Sequence, residues 1–291
     1  MIDYHVHTSL CNHANGTMDQ YIQNAIDAGL AEICFLDHLT LHESGRHLSM
    51  TPDYVPFYYQ SARQLAHTYK NHIQVKVGLE VDYDPKNAHD VKKIISPFDF
   101  DVIGGSVHFI DDINIVSSKD TEARENECID VICKNYLSLL DEMIENMDLD
   151  IICHLDIIKK FGRRPSTEFE KKFDEILSKI SYKNLTVELN TSGYNHKANE
   201  FYPKTSLLKK CHEKNIRMTI GSDAHQPHQV ARHFDKAIDL LIKTGYCHIS
   251  AFTRRKPYDI PLTLSNHDKL FKSQISMAKK KVTNSRRANP E

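Results

Sequence analysis

The first thirteen residues place Asp3, His5, His7 and His13 on what reads as one short strand and the loop after it. Successive side chains on a strand alternate faces, so His5 and His7 project to the same side and stand close enough to share one cation. Further candidates follow along the chain: Asp37-His38, Glu80, His108, His154 and Asp223-Ala224-His225. Neutral imidazole suits zinc, iron, nickel and copper, while carboxylates extend the range to manganese and allow one residue to bridge two ions. Eight or nine such groups exceed what one ion accepts, so two or three ions are expected. Ions about 3.5–4 Å apart can hold a bridging hydroxide and neutralise a phosphoryl group during in-line displacement. The residue types therefore point to metal-dependent hydrolysis of phosphate esters.

Such a cluster needs strands whose ends converge. Short β-branched runs alternate with amphipathic stretches, the pattern of parallel strands joined by crossover helices. Strands are expected at residues 2–7, 32–37, 73–82, 100–107, 150–154, 184–190 and 217–222, with a weaker run at 246–250. Helices are expected at 18–28, 52–70, 86–95, 122–146, 167–181, 204–214 and 229–244. Gly29 and Gly245 read as helix C-terminal glycines, and Pro52 as a first-turn proline with Thr51 as its cap. In this layout His5, His7, His38, Glu80, His108, His154, Asp223 and His225 all fall at C-terminal strand ends, the edge where α/β sheets build sites. The long polar loops 39–51 and 109–121 follow two of those strands and read as binding elements.

Composition narrows the partners. At 291 residues with a net charge of −2, the chain has a sizeable core and no global pull toward nucleic acid or membrane. Seven cysteines without a C-x-x-C pair exclude a disulfide framework and a zinc ribbon, and Cys34 and Cys153 read as small core hydrophobes. The start Met1-Ile2-Asp3-Tyr4-His5 lacks the form of a signal peptide and no run of about 18 apolar residues occurs, so a cytoplasmic location is expected. His67, His72, His89, His212 and His233 read as solvated positions. Residues 265–291, which include Lys279-Lys280-Lys281 and Arg286-Arg287, read as a basic solvated tail appended to a catalytic domain spanning 1–264.

Eight stretches in order carry a family resemblance: Asp3-Tyr4-His5-Val6-His7-Thr8, Cys11-Asn12-His13-Ala14, Asp37-His38, Gly78-Leu79-Glu80-Val81-Asp82-Tyr83, Gly105-Ser106-Val107-His108, His154-Leu155-Asp156, Glu188-Leu189-Asn190-Thr191 and Gly221-Ser222-Asp223-Ala224-His225. Together they resemble the polymerase-and-histidinol-phosphatase (PHP) family, and within it the histidinol-phosphate phosphatases of histidine biosynthesis, from residue 1 to about 258, through Phe252-Thr253-Arg254-Arg255-Lys256-Pro257. The resemblance implies a distorted (β/α)7 TIM-like barrel with three divalent ions of zinc, manganese or iron. By the same resemblance His5, His7, Glu80 and Asp223 match ligands of the first ion. Glu80 bridges to a second that also takes His108 and His154, and His13, His38 and His225 match those of the third.

The expected reaction is attack of a metal-bound hydroxide on a small phosphorylated amino alcohol, with Glu80 and Asp223 as the catalytic carboxylates and Asp223 or a water protonating the leaving group. Lys160, Lys197 and Arg46 are the candidate phosphate cations, Lys160 standing where family phosphatases can present an arginine. Asp37, Asp156 and Glu188 could each orient a ligand or merely cap a turn. Asn190 and Asn195 read as turn residues, and His42 and His47 as loop positions. Two other readings keep the metal cluster: a PHP phosphoesterase or exonuclease acting on nucleotides or oligonucleotide ends, against which the near-neutral charge argues, and a non-catalytic metal-stabilised module. Oligomeric state is not readable from these residues.

Overall fold

The computed structural model describes residues 1–123 and 127–262, so the basic segment 265–291 lies outside the described residues. In chain order the strands are β1 Ile2–Val6, β2 Glu32–Leu39, β3 Gln74–Asp82, β4 Val102–Ser106, β5 Phe109–Ile110, β6 Ile113–Asn114, β7 Ile151–Ile152, β8 Thr186–Asn190, β9 Arg217–Gly221, β10 His248–Thr253 and β11 Lys256–Pro261. The helices are α1 Met18–Asp27, α2 Val55–Tyr69, α3 Ala88–Ile95, α4 Ser118–Ala123, α5 Ile129–Asn146, α6 Phe169–Tyr182, α7 Thr205–Glu213 and α8 Phe234–Thr244. Seven parallel strands run β1-β2-β3-β4-β7-β8-β9, with helices in the crossovers. The sheet curls until β1 meets the end of β9, where His7 N donates to Ala224 O at 3.0 Å and Ala224 N to His5 O at 3.3 Å. This is the expected distorted seven-stranded barrel.

Each of the seven barrel strands is buried on both faces, which explains the apolar runs: Ile33, Phe35, Val77, Leu79, Val187 and Ile220 are all sealed in one core with the apolar stripes of the helices. α1 begins at Thr17 with a full capping box to Gln20, and α8 ends at Gly245, whose φ of +110° suits glycine. Thr51 does occupy the N-cap before Pro52, yet its side chain makes no capping bond.

Several elements depart from the periodicity. The run at 246–250 becomes β10, which pairs antiparallel with β11 as a separate hairpin instead of an eighth barrel strand. Gln229 closes a 3-10 turn that starts at Pro227, and the chain at 230–233 is not helical: Asp3 accepts the Ala231 N–H at 3.0 Å, and Ala231 and His233 both take positive φ, so α8 starts only at Phe234. β7 shrinks to two residues because His154 turns out of the strand at φ 27° and donates its N–H to Glu188 Oε2 at 2.9 Å. The expected helix over 122–146 is two helices, α4 and α5. The loop at 109–121 holds the small β5–β6 hairpin, and the loop at 39–51 holds a 3-10 turn over Glu43–Leu48.

The β10–β11 hairpin closes the N-terminal end of the barrel. Its turn residues Arg254 and Arg255 have φ of 49° and 65°, and Asp101 holds both: its Oδ1 accepts Arg254 N at 3.2 Å and its carbonyl accepts Arg255 N at 2.9 Å. Asp150 Oδ2 accepts Ile103 N at 2.7 Å and the Arg255 Nε, while Asp101 Oδ2 accepts Arg63 Nη1 at 2.8 Å. Glu32 takes two phenols, Tyr4 at 2.8 Å and Tyr258 at 2.6 Å. Among the described residues no helix is long and apolar enough to cross a membrane.

Candidate metal centre

The opposite, C-terminal end of the barrel gathers all nine candidate ligands. Alternation on β1 sends His5 and His7 inward together, their ring centroids 4.9 Å apart. The parallel register of β2 and β3 sets His38 directly beside Glu80. His108 and His154 follow β4 and β7, Asp223 and His225 follow β9, and His13 comes in from the loop after β1, its ring 4.7 Å from that of His225. Gly221 serves the packing here, since a Cβ on it would overlap the Glu188 carboxylate and the His5 side chain.

Glu80 is at the centre and is sealed, its side chain 1% exposed. Its two oxygens face two different sets of rings. Oε2 stands 3.2 Å from His5 Nε2, 3.0 Å from His38 Nδ1 and 3.7 Å from His7 Nε2. Oε1 stands 2.7 Å from His154 Nε2 and 3.7 Å from His108 Nε2, and also accepts the Ser106 hydroxyl. Asp223 Oδ1 lies 3.2 Å from His7 Nε2 and 3.5 Å from His225 Nδ1. Its side chain is 14% exposed and reaches the cavity above.

The far nitrogens of the rings are tied down. His5 Nδ1 meets Glu188 Oε1 at 2.7 Å, His108 Nδ1 meets Asp82 Oδ1 at 2.9 Å, and His7 Nδ1 meets Asp37 Oδ1 at 3.4 Å. His13 Nδ1 faces the Cys11 carbonyl at 2.8 Å and His225 Nδ1 the Asp223 carbonyl at 3.2 Å. Carboxylates and carbonyls only accept, so these nitrogens carry the hydrogen, and the opposite Nε2 of a neutral ring is a bare lone pair. Yet His13 Nε2 faces His225 Nε2 at 3.0 Å, while His108 Nε2 and His154 Nε2, 3.2 Å apart, converge on Glu80 Oε1. His7 Nε2 is buried without any hydrogen bond. Nitrogens aimed at one another and at one carboxylate are what a cation between them relieves, and the donor set fits divalent ions. Ligand atoms of His7, His38 and His225, of His5, Glu80 and His154, and of His5, His7 and Asp223 each lie within 4.8 Å of one another.

Without an ion the charges lean on each other. Burial drives the His5 imidazole toward the neutral form, but Glu188, Glu80 and Asp223 outweigh it and raise its pKa well above the ordinary value. Burial likewise favours protonated Glu80 and Asp223, and the surrounding rings, His5 foremost, overcome it and keep both carboxyls well below the usual range. His225 is pushed down by burial and by His7, and His13 falls to about 4 through burial and His38.

The other sequence candidates divide. Asp37 both meets His7 and caps the turn at Thr8, whose N–H it accepts at 3.2 Å. Glu188 orients His5. Asp156 instead pairs with the buried Lys159 at 2.8 Å and takes the Lys204 N–H, a packing role. Asn190 links Glu188 to Asp223, its Nδ2 3.2 and 3.3 Å from their oxygens, and Asn195 Oδ1 faces His233 Nε2 at 3.1 Å. Cys34 and Cys153 are buried, Cys153 beside His5 and Glu188. His42 stacks on Phe109, and His47, His67, His72, His89 and His212 are exposed, whereas His233 is half-buried.

A cavity of about 340 Å³ opens over the cluster, and Lys160 lines it. Arg46 and Lys197 are exposed and do not. Asp82, His196 and Arg232 were not picked out from the sequence. Asp82 was within reach of the period-two rule, being two residues from Glu80 on β3. His196 and Arg232 come from irregular backbone after β8 and β9, where no periodicity points them inward.

A family model described as the PHP domain matches residues 3–192. A probable histidinol-phosphatase of Deinococcus radiodurans is 30% identical over 247 residues, 84% of this chain and 94% of that protein. The histidinol-phosphatase of Lactococcus lactis is 28% identical over 265 residues, 88% of this chain and 95% of that one. The crystal structure of histidinol phosphate phosphatase from Lactococcus lactis, complexed with zinc, L-histidinol and phosphate, superposes with a TM-score of 0.77 at 26% identity, covering 88% of this chain and 98% of that chain. The putative histidinol phosphatase of Listeria monocytogenes shares the fold, with a TM-score of 0.75 at 20% identity over 81% of this chain and 99% of that one.

Proposed function

The chain belongs to the PHP domain family, and from that premise we propose that it is a histidinol-phosphate phosphatase, converting L-histidinol phosphate and water to L-histidinol and phosphate. The observation that carries this reading is the Glu80 carboxylate with an imidazole set converging on each oxygen, beside the His13 and His225 Nε2 atoms that face each other. The ligand set is His5, His7, Glu80 and Asp223 for one ion, Glu80, His108 and His154 for a second, and His13, His38 and His225 for a third, of zinc, manganese or iron. When bound, such ions supply positive charge to the phosphoryl oxygens and activate water.

The chain's own residues do the rest. Glu188, Asp82 and Asp37 accept the Nδ1 hydrogens of His5, His108 and His7 and so aim the opposite nitrogens inward. Glu80, dry and held by the Ser106 hydroxyl, keeps the two halves of the site in register. Asp223 is the carboxylate open to the cavity, steadied by Asn190 Nδ2 at 3.3 Å and Ser192 Oγ at 3.2 Å; ionised, it is placed to accept a proton from the attacking water and hand it to the departing alcohol. Lys160 offers its ammonium to the phosphate from the cavity wall.

Purified chain reconstituted with manganese or zinc should release phosphate from histidinol phosphate far faster than from nucleoside monophosphates, with about three ions per chain by elemental analysis. Equal rates on the two substrates, or no release with either metal, would overturn the assignment.

A further inference from the structure

The cavity above the imidazoles is also lined by two cations from different parts of the chain, Lys160 after β7 and Arg232 after β9. Arg232 is pinned: Nε donates to the Ser222 carbonyl and Nη2 to the Asp223 carbonyl, each at 2.8 Å. Its Nη1 has no hydrogen-bond partner among the described residues. The Lys160 ammonium makes one hydrogen bond, to the Val116 carbonyl at 3.0 Å, and keeps two N–H groups over. Neither cation has a carboxylate within 4.0 Å among the described residues. Burial lowers both pKa values, the field of Asp223 opposes that, and Arg232 pushes Lys160 down further, so the two feel one another across the space. Two partly buried positive charges without counter-ions are costly, and a ligand with two negative charges would match them.

We propose that Arg232 and Lys160 together hold the two charges of a phosphomonoester dianion, and that Arg232 is the residue by which the site prefers monoesters to diesters. This rests on the phosphatase reading above. A diester carries one charge and places an ester carbon where the second charged oxygen would sit, leaving one cation buried and unpaired. Because Arg232 is anchored to the carbonyls of Ser222 and Asp223, its free N–H group is fixed relative to the Asp223 carboxylate, a geometry that the looser Lys160 does not have.

The test compares the metal-loaded wild type with Arg232→Met, Arg232→Lys and Lys160→Met on p-nitrophenyl phosphate and on its methyl diester, with calorimetric binding of inorganic phosphate alongside. Arg232→Met should lower kcat/KM for the monoester by roughly 10- to 100-fold, as expected for a hydrogen bond between charged groups, and change the diester by less than about threefold. Inorganic phosphate binding should weaken in parallel while metal content stays constant, and Arg232→Lys should recover part of the loss. Equal losses on both esters, or unchanged phosphate binding, would mean that Arg232 only props up the Ser222-Asp223 loop. If Arg232→Met does not fold, Lys160→Met reads the same monoester-to-diester ratio. A wild type that hydrolyses no monoester sinks the phosphatase reading separately, since the phosphate calorimetry still judges the clamp.

Discussion

Both ends of this barrel bury charge, and they treat it in opposite ways. At the N-terminal end every buried carboxylate meets a donor: Asp101 has Arg63, Asp150 has Arg255, and Glu32 has two tyrosines. At the C-terminal end carboxylates and rings crowd a centre where His13 Nε2 opposes His225 Nε2 and His7 Nε2 makes no hydrogen bond. One end is complete as folded. The other is complementary to something positively charged, and such incompleteness is how a site differs from a joint.

Breaking the comparison at its strongest point means Glu80→Gln, which should cut turnover by about 10³-fold or more and lower the metal content. The same change should also destabilise the metal-free chain in urea unfolding, because it leaves His5, His38 and His108 without the buried carboxylate that faces them. The opposite end should spare turnover. Arg255→Ala strands Asp150 and should cost about 3 kcal/mol of stability, while kcat at room temperature stays within twofold. Loss of activity at equal metal loading would contradict the division of labour.

Metal itself gives the next effect. At a hundredfold excess over Kd, binding should stabilise the wild type by about 2.7 kcal/mol, read as a rise in Tm that chelator reverses and Glu80→Gln lacks. Acid should then separate the ends by sign. His196, at the cavity, is held down at about 4 by burial and by Lys160, so between its ordinary 6.5 and about 4 only the unfolded chain takes up its proton. That term weakens the metal-free protein as pH falls through this window. Asp150 is raised by burial from 3.8 to about 6 despite Arg255, so the folded chain holds its proton longer and this term weakens the protein as pH rises from 3.8 to 6. Each is worth about 1–3 kcal/mol, and His196→Gln and Asp150→Asn should remove the two slopes independently. Smallest of all, Arg46→Ala and Lys197→Ala should move KM less than about twofold, since both side chains are exposed.

The rims also differ in how much the amino-acid order reveals. Histidines and carboxylates at strand ends announce the metal side, because alternation on β1 and the register of β2 against β3 follow from short-range rules. Asp101 and Asp150 announce nothing: each precedes a strand by one residue and acquires meaning only when a hairpin more than a hundred residues later arrives. Arg232 fails for a related reason. The chain at 229–233 has helical spacing, but the buried Asp3 takes the Ala231 N–H and the segment bends into the cavity instead. Interactions across 228 positions override local propensity there, and no window of a dozen residues contains them.

The seam between β1 and Ala224, and the turn at Arg254-Arg255 beneath it, carry a consequence for the order of synthesis. His5 and His7 leave the ribosome early, yet Asp223, which faces His7, and Ala224, which takes the His7 N–H, emerge more than two hundred residues later. A nascent chain can pair β1 with β2 early and still own no finished cation cage. Contacts of such separation form late and slowly, so metal loading should await termination, and any nascent chain stalled before the closing turn would carry exposed histidines able to capture the wrong ion.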